Sequence, residues 1–348
     1  MSDEVPQGID AEAVTAWLAE RADVHPPLRF ERIAGGQSNL TYRVFDGDDV
    51  LRWVFRRPPL GQVLASAHDM GRESRIIEAL APTDVPVAPL VGASLDDSVN
   101  GAPFYVMGFV EGHVIRGEAE AAKISPAARA HAGEQIVDVM ARIHAVDVDA
   151  VGLGDLGRKE AYIERQLKRW YGQWEKSKSR EIPAIDQVHD ALLASVPDQG
   201  PAAIVHGDYR LDNCLLTDDG DVAAVLDWEI CTLGDPLADL GLLVVYWGEE
   251  GSGFSALPGS ATRAEGFPSA SAMVERYAAV SGRDVGQIDF YVAFGYWKLA
   301  CILEGVYARY RGGAMGTTDD ATWEVFGKQV EMLADAAAAT VERMRGSG

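Results

Sequence analysis

The clearest chemical pattern in the sequence runs from residue 204 to residue 228, IVHGDYRLDNCLLTDDGDVAAVLDW. Asp208 is followed by Asn213 five residues later and by Asp227 nineteen residues later, and the segment between the last two alternates as strand, turn and strand. Phosphoryl transfer from a nucleotide needs a carboxylate that accepts the proton of the attacking hydroxyl and oxygen ligands that hold Mg²⁺ against the phosphates. The spacing therefore predicts Asp208 as the base and Asn213 and Asp227 as metal ligands.

Any one of these carboxylates taken alone would more simply be a solvated turn residue, but the three residue types at these offsets favour a site. Other polar residues nearby are predicted to be structural. His206 and His144 are expected to pack and hydrogen-bond within the fold. Asp235 precedes Pro236 and is predicted to cap a helix, and Asp239 in the same segment is also predicted to be structural.

Two regions of different periodicity surround this pattern. The first begins with a helical pattern at 11–22, continues with alternating strands, contains a helical stripe at 65–80, and ends in strands near 88–94 and 103–110. Beyond residue 112 helical periodicity dominates, interrupted only by the strand-like stretch 204–228. The helical patterns there cover 126–145, 158–178, 184–195, 270–281, 286–311 and 320–345.

The predicted fold class is therefore α+β with two lobes. Residues 1–110 are expected to form an N-terminal antiparallel sheet lobe that contains one inserted helix, and residues 111–348 a larger, mostly helical C-terminal lobe.

Composition and charge exclude several classes of protein. The chain has 31 Lys and Arg against 53 Asp and Glu, a formal net charge of −22, which argues against a nucleic-acid partner. The longest apolar stretch, near 240–247, is far shorter than the roughly 20 residues that cross a bilayer. The first ten residues carry acids rather than the basic and apolar regions of a signal peptide, so we expect no membrane association and a cytoplasmic location.

The motifs HGDYRLDN and VLDWEICTLGDPLADLG resemble those of the aminoglycoside phosphotransferase family, small-molecule kinases with the bilobal protein-kinase-like fold. GGQSNLTYRV, VFRRPP, AHDMGRE and PFYVMGFVEG occur in the order that this family shows. The amino-acid sequence of several segments is similar to that of the branch that includes kinase-like domains fused to some acyl-CoA dehydrogenases. The resemblance implies a nucleotide-binding N-terminal lobe and a catalytic, substrate-binding C-terminal lobe.

The resemblance also implies nucleotide contacts in the first lobe. Gly35, Gly36, Ser38 and Asn39 would form a turn whose backbone N–H groups approach the phosphates, although the segment GGQSN alone would more simply be a hairpin turn. The segment from Met107 to Val110, with Met107 and Phe109 as the named contacts, would hydrogen-bond the adenine through its backbone.

The basic residue that contacts the phosphates departs from the family pattern. Kinases place a lysine on the third strand and pair it with a glutamate on the inserted helix, here Glu73. The first lysine of this chain is Lys123, so the basic partner is predicted to be Arg56, with Arg57 on the opposite face of the strand. Arginine keeps the charge but differs from lysine in geometry.

The expected activity is transfer of the γ-phosphate of ATP or GTP to a hydroxyl of a small molecule, with Mg²⁺ as cofactor. One alternative acceptor is a cationic aminoglycoside, which suits an acidic chain. Another is a hydroxylated acyl metabolite, which would suit the aromatic residues of the second lobe: Trp170, Trp174, Trp247 and Trp297. The unusual arginine also leaves open a nucleotide-binding module without catalysis.

Overall fold

A computed structural model describes residues 5–33, 39–60, 69–248, 261–312 and 320–346 of the chain. Contacts divide the chain into two compact units. The first, called the sheet unit, comprises Met1–Gly112 with two short later segments, Asp149–Leu153 and Ala223–Ile230. The second, called the helical unit, comprises the rest. The single boundary after residue 110 stays a prediction.

The sheet unit is built on five antiparallel strands in the spatial order β1-β2-β3-β5-β4. One helix precedes the strands and a second is inserted after the third strand, as the change of periodicity predicts. The elements are α1 (Ala11–Ala19), β1 (Arg29–Arg32), β2 (Leu40–Phe45), β3 (Leu51–Arg57), α2 (Met70–Leu80), β4 (Leu90–Ser94) and β5 (Phe104–Gly108).

Alternating side chains build the core of this unit. On β2, Tyr42 and Val44 are buried, and on β3 Trp53 and Phe55 are buried with them in one apolar cluster. Helix α1 adds its apolar stripe to the same cluster, with Trp17 set edge-on against the β5 aromatic residue Phe104. The sheet is thus fixed in register, because a slip by one residue would turn this apolar set to the other face.

Helices make up most of the helical unit. Its elements are α3 (Glu118–Ala121), α4 (Pro126–Ala145), α5 (Tyr162–Ser177), α6 (Pro183–Ala194), β6 (Ala203–Val205), β7 (Cys214–Leu216), β8 (Val222–Val225, whose last three residues belong to the sheet unit), β9 (Thr232–Gly234), α7 (Leu237–Trp247), α8 (Ala270–Ser281), α9 (Ile288–Arg311) and α10 (Asp320–Gly346). Strands β6 and β9 pair antiparallel.

Helix α9 forms the centre of this unit because its first half is apolar on every side, which is the pattern of a buried helix. It packs against α5, α6, α7 and α10. The approach of α7 is close: a Cβ at Gly241 would lie 2.5 Å from the main-chain carbonyl of Tyr291, so only glycine fits there.

The structure confirms the predicted fold class, an antiparallel sheet part followed by a larger helical part. It differs at some boundaries. Helix α5 begins four residues later than the pattern at 158 predicts, because Ala161 adopts a left-handed conformation with φ of 48°. The four-residue helix α3 is too short to produce a periodic pattern. Among the described helices, none has the length and apolar content that would let it cross a membrane.

Candidate functional site

Arg56 on β3 is the centre of a polar cluster inside the sheet unit. Its Nε lies 3.0 Å from Oε2 of Glu73 on α2, and its Nη2 lies 2.6 Å from Oδ1 of Asp227 and 3.5 Å from Oε2 of Glu229. The Nε–H is not aligned for a hydrogen bond to Glu73, so this contact is an ion pair only. One guanidinium therefore faces three carboxylates.

Both oxygens of the buried Glu73 carboxylate accept a hydrogen bond within the sheet unit. The Tyr105 hydroxyl donates to Oε2 at 3.0 Å, and the Asn39 amide donates to Oε1 at 2.9 Å. Burial raises the pKa of Glu73, while Arg56 and the two donors act in the opposite direction. For Arg56 burial lowers the pKa, but the Tyr105 hydroxyl and the carboxylates of Glu73 and Asp227 outweigh it and leave the pKa raised. The arginine is thus charged.

Arg57, the next residue of β3, faces away from this cluster. Its guanidinium donates to the carbonyl oxygen of Gly8, and its Nε donates to the carbonyl oxygen of Pro58 at 3.1 Å. The alternation of side chains along the strand therefore separates the two arginines. The structure brings Arg56, and not Arg57, to Glu73.

Asp227 follows β8 and has a backbone φ of 65°. Left-handed backbone at a residue other than glycine is uncommon and tends to mark functional sites. Its side chain keeps a third of its surface exposed. Oδ1 contacts Arg56, while among the described residues no partner contacts Oδ2. A carboxylate oxygen without a partner among the described residues fits the ligand preference of Mg²⁺.

The predicted phosphate-binding turn lies mostly outside the described residues, which exclude Gly35, Gly36 and Ser38. Asn39 is described and buried. Its side-chain amide donates to Glu73 and, at 3.3 Å, to Oε2 of Glu229. The side chain of Asn39 therefore connects two carboxylates of the Arg56 cluster.

The predicted adenine contacts Met107 and Phe109 turn their backbone groups into the sheet. The Phe109 N–H donates to the carbonyl oxygen of Arg52 on β3 at 2.8 Å. Met107 is paired with Val54 in the same register, so its N–H and C=O also face β3.

The residue between them faces the other way. The Gly108 N–H donates to the carbonyl oxygen of Pro89 at 2.8 Å, so the Gly108 C=O also points away from β3. If the alternation continued past the end of β5, the N–H of Val110 would lie on that side too. These two groups, an acceptor and a donor two residues apart, suit the edge of an adenine better than the groups of Met107 and Phe109.

In the helical unit a short loop after β6 carries Asp208. The buried carboxylate of Asp239 on α7 accepts the N–H of His206 at 2.6 Å and the N–H of Gly207 at 2.8 Å. His144 on α4 supports the same carboxylate from 3.4 Å. Burial alone would raise the pKa of Asp239, but His144, His206 and the Gly207 N–H outweigh it and lower the pKa. An ionised Asp239 thus holds the loop.

Asp208 and Asn213 contact each other directly. The Asn213 amide donates to the backbone oxygen of Asp208 at 2.8 Å and to its Oδ2 at 3.0 Å. Because the amide nitrogen is used in this way, the amide oxygen of Asn213 is left for a cation, which fits the predicted Mg²⁺ ligand. The Nε of Arg210 lies between Asp208 and Asp212, 3.2 Å and 3.1 Å from their nearest oxygens.

Two further groups near this loop were not predicted from the sequence. The Lys298 ammonium on α9 donates to the carbonyl oxygen of Gly207 at 3.0 Å and lies 5.8 Å from the ring centre of Trp170. Burial lowers the pKa of Lys298, although Asp239 and Asp208 oppose this. The guanidinium of Arg210 lies 4.9 Å from the ring centre of Tyr246. A single lysine within the apolar run 290–301 of α9 was the available sequence signal for Lys298.

Asp235 caps the start of α7, as predicted. Its Oδ1 accepts the N–H of Leu237 at 3.1 Å, and its Oδ2 accepts the hydroxyl of Tyr291 at 2.6 Å. The two histidines likewise serve structure: His144 contacts the Tyr277 hydroxyl at 2.7 Å, and the Nδ1 of His206 accepts the N–H of Asp208 at 3.3 Å.

The antiparallel sheet unit and the helical unit with its HGD loop have the architecture of kinase-like phosphotransferases. The chain belongs to the phosphotransferase enzyme family, whose sequence model (APH) matches residues 29–274. The resemblance inferred from the motifs is thereby confirmed.

Similar proteins that carry a name belong to the branch that the motifs suggested. The chain is 34% identical to acyl-CoA dehydrogenase family member 10 of Mus musculus over 94% of its own length and 31% of the relative. It is 30% identical to acyl-CoA dehydrogenase family member 11 of Homo sapiens over 92% of its own length and 42% of the relative. The chain therefore spans less than half the length of these relatives.

Solved structures show the same fold. A protein of Ralstonia eutropha JMP134, provisionally named an aminoglycoside phosphotransferase, superposes with a TM-score of 0.81 at 34% identity, over 96% of this chain and 99% of the other. The GDP complex of aminoglycoside 2'-phosphotransferase-IIIa gives a TM-score of 0.62 at 16% identity over 94% and 98% of the two chains, a likeness of fold alone.

Proposed function

We propose that the protein is a Mg²⁺-dependent kinase that transfers the γ-phosphate of ATP or GTP to a hydroxyl group of a small molecule. The observation that carries the proposal is the clamped loop of the helical unit. Asp239 fixes its backbone at His206 and Gly207, and Asn213 fixes Asp208 itself. A carboxylate held in this way is pre-organised to orient an attacking hydroxyl.

In the proposed reaction Asp208 accepts the proton of the acceptor hydroxyl. The hydroxyl oxygen forms a bond to the γ-phosphorus while the bond from that phosphorus to the β-phosphate oxygen breaks, and a nucleoside diphosphate leaves. Mg²⁺, when bound, neutralises charge on the phosphates. The oxygens of Asn213 and Asp227 would hold it, and Arg56 would contact the phosphates.

The nucleotide base is assigned to the end of β5. We propose that the Gly108 C=O and the Val110 N–H bind the adenine edge, in place of Met107 and Phe109. A competing proposal, a nucleotide-binding module without turnover, is answered by measuring whether any acceptor stimulates nucleotide consumption.

Among possible acceptors, the surroundings of Asp208 favour a hydroxylated acyl compound. Lys298 and Arg210 supply positive charge there, and Trp170 and Tyr246 supply aromatic surface. Because Arg210 pairs with Asp208 and Asp212, charge alone does not decide between acceptors, and the aromatic surface carries the choice of an acyl chain. Relatives named acyl-CoA dehydrogenase family members are consistent with this choice.

A panel of acceptors tests the proposal, with nucleotide consumption as the readout and mass spectrometry of the phosphorylated product. Hydroxylated acyl thioesters should stimulate turnover more than aminoglycosides of matched concentration. The matched control is Asp208→Asn, which should form product roughly 10²-fold or more slowly with every acceptor. If aminoglycosides were phosphorylated more efficiently, the acyl assignment would be wrong while the kinase assignment would stand.

A further inference from the structure

Three carboxylates surround the single guanidinium of Arg56 in the sheet unit. Glu73, Asp227 and Glu229 contribute three negative charges, and Arg56 contributes one positive charge. Glu73 is 2% exposed and Glu229 is 20% exposed, so water screens them only in part. A divalent cation on Asp227 would add positive charge beside Arg56, in keeping with the proposed function on which this inference rests.

Two carboxylates compete for one nitrogen of Arg56. Nη2 lies 2.6 Å from Asp227 Oδ1 and 3.5 Å from Glu229 Oε2. Asp227 is also the proposed metal ligand of this unit, and a cation on its carboxylate would repel a guanidinium bound to the same group. The arginine needs another anionic partner when the metal binds.

Glu229 meets the requirements for that partner. Its Oε2 is already held by the Asn39 amide at 3.3 Å, and Asn39 also donates to Glu73, which contacts the Nε of Arg56. A small movement of Nη2 from Asp227 to Glu229 keeps Arg56 against Glu73 while it releases Asp227.

We propose that Glu229 is a positioning residue, which takes over Nη2 of Arg56 when a divalent cation occupies Asp227. The exchange couples metal binding to the placement of the arginine. Glu229 acts through Arg56 and is not itself a metal ligand.

The test is a double-mutant cycle read by binding of Mg²⁺ alone, without nucleotide, from the Mg²⁺ dependence of the melting temperature. Glu229→Gln should weaken Mg²⁺ binding about tenfold, because Arg56 then stays on Asp227. Arg56→Ala should strengthen Mg²⁺ binding, because the competing cation is gone. In the Arg56→Ala background, Glu229→Gln should change the Mg²⁺ affinity by no more than about threefold, the remaining through-space effect of one charge.

Glu78→Gln is the matched control, since it removes one exposed charge from α2 outside the cluster and should leave the Mg²⁺ affinity unchanged within about twofold. Glutamine keeps the shape of Glu229 and an acceptor for Asn39. Glu229→Asp, which keeps the charge on a shorter side chain, should give an intermediate Mg²⁺ affinity and provides a second measurement if the glutamine variant folds poorly.

Two results would overturn the inference. An unchanged Mg²⁺ affinity in Glu229→Gln would show that the exchange does not occur, and a full tenfold loss that persists without Arg56 would make Glu229 a metal ligand. In both cases the proposed function would stand if Mg²⁺ and nucleotide together still stabilise the wild-type chain. If they do not stabilise it, and Mg²⁺ alone does not bind, both proposals fail.

Discussion

Arg56 and Arg57 are neighbours on β3, yet they contact different groups. Arg56 faces Glu73 and Asp227, whereas Arg57 is bound to the carbonyl oxygens of Gly8 and Pro58. The charge of the first is directed at two carboxylates. The second supports the backbone of the sheet unit.

Arg56→Ala should therefore lower kcat/KM by about tenfold or more, a loss of roughly 1.4 kcal/mol at the low end for a charged hydrogen bond. Arg56→Lys should recover only part of the loss, because the compact ammonium cannot reach Glu73 and Asp227 at once. Steady-state kinetics with the best acceptor measures both. Arg57→Ala is the control: it should lower the melting temperature and leave kcat/KM nearly unchanged, and the reverse result would remove Arg56 from the nucleotide site.

Asp208 is expected to act on the proton of the acceptor and not on the nucleotide. Asp208→Asn should reduce kcat roughly 10²-fold or more, while the Kd for Mg²⁺-nucleotide stays within a few-fold. Single-turnover kinetics and nucleotide titration separate the two effects. Turnover at the wild-type rate in this variant would rule out Asp208 as the base.

The two proposed metal ligands should contribute unequally to Mg²⁺ binding, because Asp227 is charged and Asn213 is neutral. Asp227→Ala should abolish the part of the thermal stabilisation by nucleotide that requires Mg²⁺, whereas Asn213→Ala should reduce it by less. Melting curves with nucleotide, with and without Mg²⁺, give this difference. A full Mg²⁺-dependent shift in Asp227→Ala would contradict the assignment.

At the scale of elements, the loop after β6 depends on α4 and α7. His144 on α4 is fully buried against Asp239 and the Tyr277 hydroxyl, and burial lowers its pKa below the ordinary value of 6.5. The unfolded chain then binds a proton near pH 6.5 that the folded chain resists. Stability that is complete above pH 6.5 is therefore lost as the pH falls toward the lowered value.

His144→Gln should flatten this loss. Unfolding free energies measured in urea between pH 7 and about pH 5 should fall less steeply in the variant than in the wild type, even if the variant is less stable at pH 7. His131→Gln, a substitution of a partly exposed histidine on the same helix, is the control and should keep the wild-type slope. If the unfolding free energy of His144→Gln fell with pH as steeply as that of the wild type, a group other than His144 would cause the loss of stability at low pH.

Several elements could be predicted from sequence because local signals agree with packing. Helix α4 begins as predicted, since Ser125 accepts the N–H of Ala128 at 3.0 Å just ahead of Pro126. Helix α5 could not be placed to the residue, because the left-handed conformation of Ala161 depends on tertiary contacts. Boundaries that depend on local capping are thus predictable, and boundaries set by distant contacts are not.

The residues of the candidate site likewise fall into those that local sequence signals predict and those that they do not. Arg56 follows from strand alternation and from the absence of an earlier lysine. Glu229 and Lys298 contact residues that are distant in the sequence. Glu229 is 190 residues from Asn39, and Lys298 is 91 residues from Gly207. No local spacing therefore predicts these two residues.

At the scale of the whole molecule, the charge of −22 excludes a basic binding face but leaves the acceptor open. The acceptor argument depends instead on a few groups around Asp208, where Lys298 and Arg210 are positive although the chain is acidic overall. At this loop the two cations lie beside the carboxylates of Asp208, Asp212 and Asp239, so the local charge is mixed. The aromatic surface around Asp208, and not the charge, therefore carries the choice of acceptor.

Helix α9 contacts two separate parts of the helical unit through two side chains seven residues apart. Tyr291 binds Asp235 at the start of α7, and Lys298 binds Gly207 beside Asp208. Seven residues are about two helical turns, so both side chains lie on one face. One alanine inserted after Phe294 would rotate Lys298 by about 100° from that face. A scan of single-residue insertions should therefore find this segment intolerant, with activity lost.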